Sequence, residues 1–568
     1  MKEKTFEIMN IESPGFIKQL NINELKALCD DIRSFIIDNV SVTGGHLASN
    51  LGSVEAIVAM HYIFDSPKDK FLFDVSHQAY THKILTGRAK QFNKLRLKDG
   101  ISGFTSYDES EHDVFESGHS STAISAASGI LEAKKFNKDI NEVICFIGDA
   151  SFLNGIAFEG LYYASLNKNQ KMIIIVNDND PLLTNKERIN NIVKGLGFKC
   201  IDSIDGHNLE DLISNFKFAK DFSESIVLHI NTIKGKGYKY SEEDKIGAWH
   251  GVSPFDINSG KCKNKIDENY ISWSEGISLI LEDLFKSKEN VRLITPAMIY
   301  GSKLYNLKRI YNDKIIDVGI NEEHAMIMAS SMSRNKIVPF VSIYSTFLQR
   351  AYDYLNVDIA RTKSHVVLLI DRCGLIGGDG ATHQGIFDLS FLIPLPNLII
   401  CSPSNLSEAK ALLDYAYKID SPIAIRYPKS NTPKIELLEE YNEIKEVKWD
   451  VINKINDVNI ITYGDFINRI NNDSNFKDYG LINALFIKPI DNDLIKKLNN
   501  KKVVVIEEAI EDSSLYSLLL KFINDNNLNI KIKSISIKDK YPSLGTKEEL
   551  LREFKLDNEN ILKELKKL

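Results

Sequence analysis

The sequence predicts an α/β protein of three domains, each a mostly parallel sheet flanked by helices. Two short apolar runs, VICFIG at 143–148 and MIIIVND at 172–178, read as buried parallel strands, and 154–166 between them reads as the crossover helix. The same alternation resumes after a polar, patternless stretch at 260–269, with apolar runs at 293–298, 316–320, 338–344 and 366–371. It resumes again after the charged stretch 436–447. At 568 residues the chain is too long for one core. The expected divisions are 1–262, 270–435 and 445–568.

With 43% apolar and 26% charged residues, the composition is that of an ordinary folded protein. A net charge of −7 argues against a nucleic-acid partner. The six cysteines form no C-x-x-C pair and read as reduced, mostly buried thiols. The opening MKEKTFEIMNIESPGF lacks the apolar core of a signal peptide, and no apolar run approaches the length of a membrane span. The expected location is the cytoplasm, with no membrane partner.

Taken in order, an amphipathic helix at 23–38 leads into GGHLASNLG at 44–52, too rich in small residues for a core element. A helix at 54–64 and a strand at 70–75 follow, and the strand ends in SHQAYTHK at 76–83. Histidines 46, 77 and 82 thus fall in two polar loops, and loops held by a scaffold are where function concentrates. The run ESGHSST at 116–122 precedes an alanine-rich helix at 123–135. Its hydroxyls can cap that helix, and its free N–H groups can cradle a phosphate. Asp149 and Asn179 stand at the carboxyl ends of the two buried strands, where open α/β sheets bind ligands. Singly they are common turn residues. One helix apart, a carboxylate and an amide oxygen suit Mg²⁺, which takes oxygen ligands alongside substrate phosphates. Beyond them come DGH at 205–207, a strand at 225–231, KGKGY at 234–238 and AWHG at 248–251. The second domain carries INEEHA, YSTFLQRAYD, GGDGATHQG and, at 426–429, RYPK. The last domain has strands at 458–462, 481–486, 502–507 and 530–535.

These stretches, with GHLASNLG, DVSHQAYTHKILTGR, SGHSST and the GDA–NDN pair, resemble the 1-deoxy-D-xylulose-5-phosphate synthase family nearly end to end. YSTFLQRAYD and DGATHQG are more diagnostic than the metal motif. Transketolase and pyruvate dehydrogenase are similar in outline only. The resemblance implies diphosphate-binding, pyrimidine-binding and C-terminal domains in that order, thiamine diphosphate held between the first two, Mg²⁺, and a homodimer. It implies that Asp149 and Asn179 ligate Mg²⁺ with the backbone carbonyl of Pro181. His77, Gly118, His119, Ser120, Ala150, Ser151 and Tyr238 are implied to line the diphosphate and thiazolium, and Phe347 to stack on the aminopyrimidine. Glu322 is implied to hydrogen-bond the pyrimidine ring nitrogen, with burial keeping its proton available near neutral pH. The implied substrates are pyruvate and glyceraldehyde 3-phosphate. His46 and His250 then exchange protons with the reacting oxygens, and Tyr344, Asp379 and His383 line the substrate pocket. Arg350, Arg372 and Lys429 are implied to meet the acceptor's phosphate.

Four positions depart from that pattern. Ala150 replaces the usual glycine of Gly-Asp-Gly, Ser76 another glycine, and Lys429 an arginine. The family's long segment after Asn-Asp-Asn is nearly absent, which leads us to expect cover from the 238–254 loop, hinged on Gly235, Gly237, Gly247 and Gly251. Two other readings stand beside an active synthase: a related thiamine enzyme with a different acceptor or donor, and a catalytically silent paralogue.

Overall fold

The computed structural model describes residues 5–137, 139–180, 185–263, 267–438 and 443–568. Two compact units divide the chain, Met1–Lys265 and Ile266–Leu568.

The first unit is built on five parallel strands, β1 (Lys70–Phe73), β2 (Val143–Gly148), β3 (Ile173–Asp178), β4 (Lys199–Asp205) and β5 (Ile226–Asn231), in the order β1-β2-β3-β5-β4. Side chains alternate across the sheet. Ile144 and Phe146 enter one core with Ile173 and Ile175, while Val143, Cys145 and Ile147 enter the opposite core with Ile174 and Val176. Both faces are therefore covered, which is why β2 and β3 read as unbroken apolar runs. Burying each such side chain contributes about 1.5–3 kcal/mol. The crossover helix Gly155–Leu166 starts where Asn154 Oδ1 accepts the Ile156 N–H at 2.9 Å. The edge strand β4 was not anticipated, because its residues KCIDSID are largely exposed and lack an apolar pattern.

The second unit holds β6 (Tyr270–Ser272), β7 (Val291–Thr295), β8 (Ile315–Asp317), β9 (Val338–Tyr344), β10 (Val367–Cys373), β11 (Ile399–Cys401), β12 (Ile423–Pro428) and β13 (Asn431–Pro433). It continues with β14 (Asp450–Val451), β15 (Val458–Thr462), β16 (Gly480–Asn483), β17 (Phe486–Lys488), β18 (Lys502–Ile510) and β19 (Lys531–Ile537). Seven strands form one sheet, β17-β11-β12-β10-β9-β7-β8, and five another, β14-β16-β15-β18-β19; β6 and β13 pair alone. Every pairing in the two larger sheets is parallel except β11–β17 and β14–β16. The stretch 481–486, expected as one strand, divides between the two sheets at Ala484-Leu485. Both halves are apolar, so hydropathy alone does not reveal the break. One core runs beneath both sheets, joining Val341 and Leu368 to Ile461 and Val503.

Candidate active site

In the first unit the strand ends carry the expected residues. Asp149 opens a short helical turn, Asp149–Phe152, directly after β2, and its carboxylate is buried. Asn185 Nδ2 donates to Asp149 Oδ2 at 2.8 Å, and burial raises the Asp149 carboxyl above its ordinary range. Asn179 lies one residue beyond β3 and is half-buried. Its neighbour Asp178 is fully buried and pairs with His229 at 2.9 Å. Pro181 lies outside the described residues. Among the described residues no three His, Cys, Asp or Glu side chains gather around a metal position. The expected ligand set does not require that, having one carboxylate, one amide and one carbonyl. Ala150 sits in the helical turn rather than at positive φ, so the missing glycine costs nothing there. Ser151 is buried in the same turn.

Gly118, His119 and Ser120 lie on the turn before the helix Ala123–Lys134. Thr122, at the N-cap, makes no side-chain cap bond. Asp74, just after β1, makes such bonds instead: Oδ1 accepts the Ser121 N–H at 2.8 Å and Oδ2 the Ala123 N–H at 3.2 Å. One carboxylate thereby ties the SGHSST turn to the loop that carries His77.

Three histidines gather in this unit. Ring centroids lie 5.5 Å apart for His46 and His77, 5.7 Å for His46 and His250, and 5.0 Å for His77 and His250. Ser49 Oγ lies 3.1 Å from His77 Nε2 and 3.5 Å from His250 Nδ1. Asn50, fully buried, donates from Nδ2 to the carbonyls of His46 and His77, both at 2.7 Å. Its Oδ1 accepts the Tyr80 N–H at 2.8 Å. A single amide thus holds two histidine-bearing loops together. His82 behaves differently. It is buried against His61 at 2.9 Å and Asp113 at 3.1 Å, and burial holds its imidazole down to about 4. It is structural: with Arg88 bonded to Asp113 and Lys83 to Glu109, it fastens the irregular 102–116 loop.

Tyr238 is packed among Trp249, Tyr240 and Phe255, and its hydroxyl donates to the Ile257 carbonyl at 2.9 Å. Burial pushes its phenol up to about 12. Its polar atom is spent on the chain, so it braces the loop. The 238–254 loop, expected to hinge, is anchored. Gly45 and Val252 exchange two backbone bonds at 2.9 and 2.8 Å, and the Trp249 carbonyl accepts the Ala48 N–H at 3.0 Å. Asp244 accepts the N–H groups of Ile246, Gly247 and Trp249. Any closing motion must break these contacts.

In the second unit Glu322 begins the helix Glu322–Ser333 and is 3% exposed. Its Oε2 has no hydrogen-bond partner among the described residues, and Arg350 Nη1 stands 3.9 Å away. Burial raises the carboxyl, with Arg350 opposing. Tyr344 stacks on Phe347 with centroids 5.7 Å apart, and His383 meets the Phe347 edge at 5.7 Å. The Arg372 guanidinium lies 3.9 Å from the Tyr344 ring centre. Burial pushes the Tyr344 phenol up. Asp379 and Lys429 pair at 3.6 Å. Three small groups of expected residues therefore form here: Glu322–Arg350, Tyr344–Phe347–His383–Arg372 and Asp379–Lys429.

Sequence reasoning assigned no role to Ser49, Asn50, Asp74 or Asn185. Lys234 joins them: burial lowers its ammonium, while Asp244 and Asp149 oppose the shift. Of these, Ser49 and Asn50 lie in the quoted GHLASNLG, Asp74 opens DVSHQAYTHKILTGR and Lys234 opens KGKGY, while Asn185 carried no signal in the sequence.

Comparison with known proteins gives the family. The family model for 1-deoxy-D-xylulose-5-phosphate synthase matches residues 8–189, that for the transketolase pyrimidine binding domain 269–434, and that for the transketolase C-terminal domain 447–561. A 1-deoxy-D-xylulose-5-phosphate synthase of Listeria monocytogenes is 40% identical over 99% of this chain and 97% of its own. The chain belongs to the 1-deoxy-D-xylulose-5-phosphate synthase family. Another synthase so named, from Lysinibacillus sphaericus, is 38% identical over 98% of this chain and 97% of its own. As a synthase-family member, the chain is a transferase of the transketolase type. The residues present fit thiamine diphosphate: the Glu322 Oε2 is a buried polar atom with no hydrogen-bond partner among the described residues, as a group reserved for a ligand would be. In this chain, Ser76 does take the left-handed φ of 68° that a glycine would occupy freely. Its Oγ accepts the Thr105 N–H at 3.0 Å, a bond glycine could not make.

Proposed function

We propose that the chain decarboxylates pyruvate and joins the remaining two-carbon unit to D-glyceraldehyde 3-phosphate, giving 1-deoxy-D-xylulose 5-phosphate and CO₂. The observation that carries this reading is Glu322, a buried carboxyl with a raised pKa and one oxygen that has no hydrogen-bond partner among the described residues. Thiamine diphosphate, when bound, supplies the electron sink for the decarboxylation. Glu322 would hold the cofactor's pyrimidine through that oxygen, and Phe347 would offer it a ring face. Asp149 and Asn179, with the Pro181 carbonyl, would hold Mg²⁺, and Asn185 would orient the carboxylate.

This chain's own residues then handle protons and charge. The bond from the keto carbon of pyruvate to its carboxylate breaks, and a new bond forms to the aldehyde carbon of the acceptor. The aldehyde oxygen takes a proton, and His46, His77 and His250 form the cluster that can give it. Ser49 bridges two of those rings and Asn50 fixes two of their backbones. Arg350, Arg372 and Lys429 meet the acceptor's phosphate. As a single-point cation, Lys429 lacks the fork of an arginine.

The same reading takes 1–262 as diphosphate-binding, 270–435 as pyrimidine-binding and 445–568 as C-terminal, supported by the family matches at 269–434 and 447–561. A homodimer is part of it. Phe158, Tyr162 and Leu166, four residues apart on one helix, are all exposed, an apolar stripe suited to a second copy. Six free thiols, four of them buried, support the cytoplasm. No helix among the described residues is long and apolar enough to cross a membrane.

Purified protein with Mg²⁺, thiamine diphosphate and pyruvate should release CO₂, faster with glyceraldehyde 3-phosphate present, and yield 1-deoxy-D-xylulose 5-phosphate by mass spectrometry. CO₂ release without that product would point to a different acceptor. No release at all would favour a silent paralogue.

A further inference from the structure

The C-terminal sheet reaches the acceptor residues through one lysine. Lys547, the first residue of the helix Lys547–Glu553, lies 3.2 Å from Glu508 Oε1 and 3.9 Å from Asp465 Oδ2. Glu508, on β18, turns its other oxygen outward to accept the Leu375 N–H at 2.6 Å. Leu375 is the second residue of the glycine-rich loop 374–385, which carries Asp379 and His383. Asp465, at the start of the helix Asp465–Asn471, accepts the Ser430 hydroxyl at 2.6 Å, next to Lys429. The two arms meet again at the Asp379–Lys429 pair. Charge and hydrogen bonds therefore close a ring: Lys547, Glu508, the loop with Asp379, Lys429, Ser430 and Asp465.

The backbone reinforces that ring. The Gly378 N–H donates to the Gly545 carbonyl at 2.9 Å. A Cβ on Gly377 would fall 2.8 Å from the Lys547 nitrogen, and one on Gly374, at φ +82°, would fall 2.4 Å from Glu508 Oε2. Gly377 is required by the close approach of the Lys547 backbone, and Gly374 by its left-handed φ. The neighbouring Arg469 is already committed to Glu548 by two bonds, at 3.0 and 2.9 Å.

We infer that Lys547, acting through Glu508 and Asp465, is a positioning residue for the acceptor: it sets the spacing between the Asp379/His383 loop and Lys429, and so the fit of a phosphate-bearing aldehyde. The inference rests on the proposed function for its substrate, while its geometric half does not. A compact cation between two carboxylates holds two otherwise separate segments in one register. Lys429 needs that support, since a single ammonium positions a phosphate less rigidly than a guanidinium fork.

The test uses the full-length protein with Mg²⁺ and thiamine diphosphate, as Lys547→Met, Lys547→Arg and Glu508→Gln. Hydrogen exchange without substrate reads the loop directly. Peptides covering 374–385 should lose protection in Lys547→Met, lose less in Glu508→Gln, which keeps an acceptor for the Leu375 N–H, and hold it in Lys547→Arg. In steady state the KM for glyceraldehyde 3-phosphate should rise about ten- to hundred-fold in Lys547→Met, the scale of a small misplacement, while that for pyruvate moves less than about threefold. Unchanged exchange at 374–385 overturns the inference, and so does an equal rise in both KM values. Should Lys547→Met not fold, Glu508→Gln decides by the same two readouts. Wild-type protein that makes no deoxyxylulose phosphate would defeat the functional reading, and the exchange result would still judge the ring.

Discussion

Replacing Glu322 with glutamine should abolish turnover and leave the fold as stable as before or more so. Glu322 is almost wholly buried, and its nearest cation, Arg350, stands 3.9 Å away without a hydrogen bond. At that distance the gross attraction is about 4 kcal/mol at an effective dielectric constant of 20. Desolvating two ions costs several kcal/mol each, so burial outweighs the pair, in agreement with the raised carboxyl. Substitution should then incur none of the ~3–5 kcal/mol that breaking a well-formed buried pair costs. A folded-state pKa above the unfolded one means stability present at low pH that is lost as pH rises through the folded value. Glu322→Gln removes that titration. Its melting temperature relative to wild type should therefore climb as pH increases from below the ordinary glutamate range to above the raised value. Product formation should fall about 10²–10⁴-fold, the usual contribution of a general acid–base group. Thermal melts across pH and a product assay on the same preparations measure both. Residual activity within about tenfold of wild type would refute the catalytic role. A glutamine variant that loses relative stability as pH rises would show a paired carboxylate instead. Glu323, half-exposed next door, should be the milder site.

Three further outcomes follow from the first unit. Asn185→Ala removes the donor that orients Asp149 and should weaken Mg²⁺-dependent cofactor affinity by about 10–100-fold in a fluorescence titration; Asp149→Ala should do more, Asn179→Ala less than Asp149→Ala. Asn50→Ala strands the buried Tyr80 N–H, costing about 1–3 kcal/mol, and releases the His46 and His77 carbonyls, so the melting temperature and kcat should fall together. At Ser76, alanine loses the Thr105 bond and keeps the strained left-handed φ, whereas glycine loses the bond but relieves the strain. Ser76→Ala should therefore unfold more readily than Ser76→Gly by about 1–2 kcal/mol in denaturant melts, and equal losses would mean the backbone there is unstrained.

The chain's own pattern was enough to place the buried strands, since a run such as VICFIG can satisfy its backbone and hide its side chains only inside a two-sided sheet. It was also enough to set Asp149 and Asn179 at strand ends, because that follows from one strand–helix–strand unit. Quoted motifs alone singled out Glu322, Phe347 and His383 as candidates. Strand β4 escaped because an exposed edge has no hydrophobic period, and the split between β16 and β17 because both sheets want the same apolar residues. The loop around His250 read as a hinge from its glycines, yet its fastening comes from Gly45 and Ala48, some two hundred residues earlier. Only the tertiary structure decided which polar residues support the site. An amide like Asn50 or Asn185 gains its role from the three or four atoms that folding brings to it. Lys547 is the extreme case, a surface-type residue in sequence that the packing of two sheets turns into the tie between Asp379 and Lys429. Periodicity reports what a residue hides from water; hydrogen-bond partners distant in sequence leave no period to read.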